Sequence, residues 1–264
     1  MIGSFKKHYP EYLMEAAELG IFMISAGVFV SLIEYDGSIV KQLIPNSQLR
    51  LLLIGMMMGL TAVLLINSKF GKRSGAHMNP ALTLTFYRLG KIKFWDAVFY
   101  LLFQFIGGTV GVYIVFVIFG NAFTNPPVNF VVTIPMNDSI ATPFFAEVIM
   151  SFSLMAMVLF TTNKVSLAKY TGLIAGIMLA IFISFEAPIS GMSINPARSF
   201  ASAFPSNIWT AFWICLTAPP IGMLLAAQVY ISIKGKKNII CAKLNHDNKV
   251  RCIFNCGYKD SIKA

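Results

Sequence analysis

Charge is the scarcest thing in this sequence. Only 12% of its 264 residues are Asp, Glu, Lys or Arg, while 56% are hydrophobic and the mean hydropathy is +0.70. Soluble domains carry roughly twice that charge. A water-facing surface over most of the chain is therefore excluded, and the length is better counted in membrane spans than in soluble domains. Acidic groups are rarest, 11 against 21 Lys plus Arg, which leaves a net charge of +10. The basic residues sit in short segments between apolar runs and in the tail, not along an aromatic-rich face. That distribution argues against nucleic acid as a partner. Cysteine is sparse too. Cys215 lies in an apolar run and Cys241, Cys252 and Cys256 in the tail, so no disulfide framework is implied. The first apolar run lacks the short h-region and small-residue cleavage site of a leader, and is expected to stay as a helix. The apolar segments hold no nucleophile–base pair and no metal cluster, so neither enzymatic activity nor a cofactor is expected.

What is present is a set of six apolar runs, over 12–33, 49–67, 94–119, 143–162, 170–185 and 207–233. The first contains Glu15 and Glu18. A carboxylate at such depth should face protein or water and not lipid; one is expected to be buried and the other at the headgroup level, with Glu15 favoured as the buried one. The second run holds Gly55, three methionines and Gly59. The third holds Gln104 and the pair Gly107 and Gly111, whose spacing suits either close helix contact or ordinary membrane-helix glycine. Glu147 stands near the start of the fourth. Residues 121–142 read as an irregular loop with Pro126-Pro127 and Pro135, and contain Asn137-Asp138-Ser139, in form an N-glycosylation triplet.

One frame occurs twice. Ser74-Gly75-Ala76-His77-Met78-Asn79-Pro80-Ala81 and Ser190-Gly191-Met192-Ser193-Ile194-Asn195-Pro196-Ala197 share Ser-Gly, three variable residues and Asn-Pro-Ala. Asn caps a helix and Pro fits its first position, because the N–H it lacks is one the helix could not satisfy. The apolar stretches that follow allow about two turns, too few to cross a bilayer. Each half of the chain thus has a span with a glutamate near its start, a second span, a re-entrant half-helix and a third span. With three spans per half, the second half enters from the opposite side, so the repeat is inverted. With both termini placed in the cytoplasm, all the Lys and Arg except Lys41, Arg50 and Arg198 fall inside, which sets the orientation by the positive-inside rule.

Each half-helix points its positive dipole end at the bilayer midplane, where irregular backbone is tolerable only if buried or lining a wet cavity. Two positive ends meeting there oppose cations. The amides of Asn79 and Asn195 can offer N–H donors to a passing water while their oxygens cap. A water that accepts from both is badly oriented to relay protons. Arg198, one turn into the second half-helix, adds a positive charge at the constriction.

The two frames, with Arg198-Ser199-Phe200 after the second, resemble the signature loops of the aquaporin or major intrinsic protein family over about residues 10–233. The resemblance implies an all-α membrane fold with six transmembrane helices and two half-helices, assembled as a homotetramer with a pore in each subunit. It makes Glu15 and Glu147 acceptors for the backbone N–H groups of the half-helix loops, and His77 a hydrogen-bonding brace for the first. Carried over by spacing, the filter is Arg198, Met192, Ile183 and either Met58 or Gly59, with Met58 favoured. It has neither the aromatic residue nor the histidine of the family's water-selective pattern. Ser199, Ala203 and Phe212-Trp213 point back to the water-channel branch. The implied function is passive conduction of water, with ammonia, hydrogen peroxide, glycerol and other small polyols as further candidates, and exclusion of ions and protons. A low-conductance structural protein of the same fold is the competing reading.

The chain is accordingly divided into a channel domain over 1–240, with inverted halves at about 10–120 and 140–233, and a basic cytoplasmic tail over 241–264. Cys241, His246, Cys252 and Cys256 are ligand types, but their spacing is not a firm zinc signature. Free thiols and no bound metal are expected there. The expected location is a plasma membrane or bacterial inner membrane.

Overall fold

The computed structural model describes residues 1–135 and 140–258. The Asn137-Asp138-Ser139 triplet, Lys259 and Lys263 lie outside them. The described residues contain no strand. Six long helices carry the architecture: α1 (Ile2–Glu34), α2 (Ser47–Asn67), α4 (Phe94–Phe119), α5 (Ala141–Thr162), α6 (Thr171–Ser190) and α8 (Phe212–Lys234). Two short ones, α3 (Pro80–Arg88) and α7 (Pro196–Ser206), follow the Asn-Pro-Ala frames. At 1.5 Å per residue α3 is about 13 Å long, under half the hydrocarbon thickness of a bilayer. All six long helices are long and apolar enough to span, and their outward faces expose Leu60, Leu64, Val117, Phe145 and Ile149, as lipid contact requires.

Three boundaries depart from expectation for physical reasons. α8 begins at Phe212 and not near 207, because Asn207 and Ala211 take left-handed φ of +54° and +51° ahead of it. α1 starts at Ile2, ahead of the apolar run. Its polar first turns are anchored to neighbours, His8 to Asp96 at 2.8 Å and Glu11 to Arg73 at 2.9 Å. α6 continues through Pro188 to Ser190. Proline removes the N–H that would bond the carbonyl four residues back, and that carbonyl, Ser184 O, accepts instead from Gln48 Nε2 at 2.7 Å.

The packing repeats the sequence symmetry. α1 lies along α4, and its counterpart α5 lies along α8; α2 and α6 pair across the middle. The half-helices cross over, α3 packing on α8 and α7 on α4, so each half completes the other. Small residues set the close approaches. A Cβ on Gly107 or Gly111 would overlap the backbone of Ala16 or Gly20 on α1, and one on Gly59 would meet the carbonyl of Gly176. The Gly107–Gly111 spacing is thus a real helix contact. Gly107→Leu should force α1 and α4 apart. Overpacking typically costs about 1–3 kcal/mol, so its apparent melting temperature in detergent should fall clearly below wild type. Gly3→Ala, whose added methyl meets nothing within 4 Å, should leave it unchanged.

Candidate functional site

Both frames fold alike. Gly75 and Gly191 end the preceding helix with φ of +106° and +81°. The loops then place non-glycine residues in the left-handed region at alternate positions, Ala76 and Met78 in one and Met192 and Ile194 in the other. Such backbone costs on the order of 1–3 kcal/mol per residue and persists only where the surroundings enforce it.

Two carboxylates do the enforcing. Glu15 accepts from the N–H groups of His77 (2.9 Å) and Met78 (2.7 Å), and Glu147 from those of Ser193 and Ile194, both at 2.6 Å. Gln104 also donates to Glu15, at 2.9 Å, and Ser190 Oγ to Glu147, at 2.7 Å. Glu15, Glu147 and Gln104 are all fully buried. Glu18 departs from expectation. It is not at the headgroup level but fully buried, accepting from Ser74 Oγ at 3.0 Å, because it shares the inward face of α1 with Glu11 and Glu15. His77 braces the first loop, with Nδ1 against Thr83 Oγ1 at 3.0 Å and Nε2 against the carbonyl of Ala242 at 2.8 Å.

The asparagines join the halves. Asn79 Oδ1 caps α3 through the N–H of Ala81 (2.9 Å), and Asn195 Oδ1 caps α7 through those of Ala197 and Arg198 (3.1 and 3.2 Å). Each side-chain nitrogen donates to the opposite loop: Asn79 Nδ2 to Ile194 O at 2.7 Å, and Asn195 Nδ2 to Met78 O at 2.6 Å. One amide hydrogen of each is thereby committed, a reciprocity that helix-capping rules alone did not reveal, and one remains for the cavity. Pro80, Ala81, Pro196 and Ala197 open the two helices as expected.

A cavity of about 730 Å³ runs past these caps. Glu34, Leu51 and Pro135 line one end, Asn79 and Asn195 the middle, and Ile66, Val158 and Leu244 the other end. Met58, Ile183, Met192 and Arg198 all line it; Gly59 does not, and packs on Gly176 instead. Arg198 Nη1 donates to Thr133 Oγ1, and Thr133 in turn meets Ser199 Oγ at 2.8 Å. Thr133 belongs to the stretch read as irregular loop, where nothing in the residue pattern marked it.

Residues 236–258 fold back onto the face where α1 begins and α8 ends. The tail bonds to three interhelical segments: Leu244 N to Gly75 O (3.1 Å), Asn255 N to Lys91 O (2.9 Å) and Ile240 N to Asn163 Oδ1 (2.6 Å). Arg251 donates to Lys7 O at 2.8 Å. Lys243 is buried and donates to Lys72 O and Arg251 O. Burial pushes its ammonium below the ordinary lysine range, while the nearby tail cysteines oppose that shift.

Six spans in an inverted repeat, with two capped half-helices meeting beside one long cavity, define an integral multi-pass membrane protein of the channel type. The family model described as Major intrinsic protein matches residues 9–230, and the chain belongs to that family. It is similar to Aquaporin NIP2-2 of Zea mays, at 32% identity over 62% of this chain and 54% of that protein. Aquaporin NIP1-2 of Arabidopsis thaliana is 29% identical over 69% and 62%, and Probable aquaporin NIP7-1 of the same plant 29% over 80% and 74%. The chain spans about 60% of the length of several of these curated relatives. Among solved structures, the aquaglyceroporin from Plasmodium falciparum shares the fold, with a TM-score of 0.67 at 18% identity, covering 84% of this chain and 95% of that one.

The loop geometry yields a direct test. In Glu147→Gln one acceptor oxygen becomes a donor facing Ser193 or Ile194, and an unpaired buried donor costs about 1–3 kcal/mol. Thermal unfolding in detergent should show that loss, and Glu15→Gln should show a similar one. Glu34→Gln, in a partly buried pair with Arg50 at the cavity end, keeps one oxygen that accepts from the guanidinium and faces no backbone N–H, and should cost less.

Proposed function

We propose that the protein is a passive channel that conducts water and small neutral solutes and excludes ions and protons. The observation that carries this reading is the cavity extending from Glu34 to Leu244 past the paired caps of Asn79 and Asn195. Polar side-chain donors are few along it: one free hydrogen on each asparagine, and the guanidinium of Arg198. Two half-helix N-termini and Arg198 make the midplane positive, which opposes cations. Met58, Ile183, Met192 and Arg198 form the selectivity filter in this reading. Three apolar, flexible side chains beside one guanidinium suit a solute with an apolar face and a hydrogen-bonding edge as well as water. The names of the relatives and of the solved structure, aquaporins and an aquaglyceroporin, are in keeping with that breadth.

The basic face where α1 begins and α8 ends is assigned to the cytoplasm, since most Lys and Arg of the described residues lie in the segments that meet there. The assembly is a homotetramer, as the family resemblance implies. The membrane is a plasma membrane or a bacterial inner membrane.

Proteoliposomes under an osmotic step should shrink faster than protein-free vesicles, and glycerol, urea and ammonia gradients should rank the solutes. Equal shrinkage rates would rule out conduction and favour the structural reading. Arg198→Val should raise the proton or cation leak several-fold, read with an entrapped pH dye or a potential-sensitive dye; an unchanged leak removes Arg198 from the barrier. Met58→Phe should slow glycerol more than water.

A further inference from the structure

The segment from Ile239 to Tyr258 has almost no regular secondary structure, yet Ile239, Cys241, Ala242, Lys243 and Leu244 are buried. An irregular stretch this short cannot hold a single conformation on a core of its own and usually needs a cross-link, a metal or a larger body to dock on. Part of the answer is docking, since Phe254 stacks on His77 with ring centroids 5.5 Å apart and 7° between planes. The rest lies in four side chains. Cys241, His246, Cys252 and Cys256 each bring one ligand atom into a cluster in which all four lie within 4.8 Å of one another. Cys241 Sγ and Cys252 Sγ are 3.7 Å apart, and Cys256 Sγ is 3.8 Å from His246 Nδ1. A tetrahedral zinc with bonds of about 2.3 Å to sulfur and 2.0 Å to nitrogen sets these separations at about 3.8 Å and 3.5 Å.

The surroundings suit an ion as well. The other nitrogen of His246, Nε2, faces Asn248 Oδ1 at 3.0 Å. An amide oxygen only accepts, so Nε2 carries the hydrogen and Nδ1 turns its lone pair to the cluster. The ring is also stacked on Tyr258, with centroids 4.1 Å apart. Three thiolates and a divalent ion leave one net negative charge, and the buried ammonium of Lys243 stands nearby to offset it. Thiolate and imidazole donors select zinc over the hard cations.

We propose that Cys241, His246, Cys252 and Cys256 form a structural zinc site that fastens the tail across the terminal-side mouth of the cavity. The strap this creates is specific: Ala242 O holds His77, the Leu244 N–H holds Gly75, and the Leu244 side chain lines the cavity end. Zinc thus braces the first half-helix loop from outside while Glu15 braces it from within. This departs from the free thiols expected of the spacing, because four ligands spread over 241–256 converge only once the tail is folded.

The full chain, purified in detergent with a thiol reductant and no chelator, should carry about one zinc per chain by elemental analysis. Cobalt in its place should give thiolate charge-transfer absorption. Cys252→Ser and Cys256→Ser should each lower zinc affinity by about 10-fold or more, while Cys215→Ser, in a span, should not. Stripping the zinc should speed amide hydrogen exchange at Leu244 and Asn255 and leave α2 unchanged. Protein that takes up no zinc when titrated, or that holds a Cys241–Cys252 disulfide despite the reductant, would overturn the site. Zinc binding with exchange at Leu244 unmoved by stripping would overturn the fastening. Neither readout depends on conductance, so either failure is distinct from failure of the channel reading.

Discussion

Everything in this fold depends on satisfying backbone polar groups in the middle of a bilayer, where no lipid can do it. Two half-helices that stop at the midplane leave their first N–H groups, and the loops leading to them, in need of partners. Asn79 and Asn195 meet the need twice over. Each oxygen caps its own helix and each nitrogen bonds a carbonyl of the opposite loop, so neither half is complete alone. The crossing of α3 onto α8 and α7 onto α4 follows from that exchange.

The two halves solve the same problem with different chemistry behind the caps. In the first, Glu11, Glu15 and Glu18 form a buried acidic stripe on α1, met by Arg73, the loop N–H groups and Ser74. In the second, Glu147 acts alone among carboxylates on its helix, and hydroxyls of Ser193, Ser199 and Thr133 continue the network to Arg198. The first loop is also pressed from outside by the tail, through His77. The terminal-side mouth is therefore the more heavily built, and the opposite mouth depends on the 129–135 stretch that positions Arg198.

Much of this was legible in the residues, for definable reasons. Apolar runs report spans directly, and Asn-Pro-Ala states a cap and a first helical turn in three letters. The inverted repeat followed from counting spans, and the carboxylate roles of Glu15 and Glu147 came with the family resemblance. Other features were hidden because they exist only between distant segments. The donors that turn Glu18 inward lie on Ser74, the acceptor that orients Arg198 is Thr133, and the nitrogen bonds of the asparagines cross more than a hundred residues of chain. The tail was hardest, since its residues carry no period and their burial depends on a surface built by other loops. Pro188 shows a smaller version of the same limit, for its helix continues only because Gln48 serves the freed carbonyl.

The asparagines hold the two halves to each other, beyond capping their own helices. Asn79→Ser and Asn195→Ser keep a capping oxygen and remove the bridging nitrogen, so a double-mutant cycle read by thermal unfolding shows whether the two bridges act as one network. The account predicts a coupling of about 0.5–3 kcal/mol between the two substitutions, the range for groups in one network. Simple additivity would contradict the shared network, and single substitutions that cost nothing would leave only two caps that happen to meet.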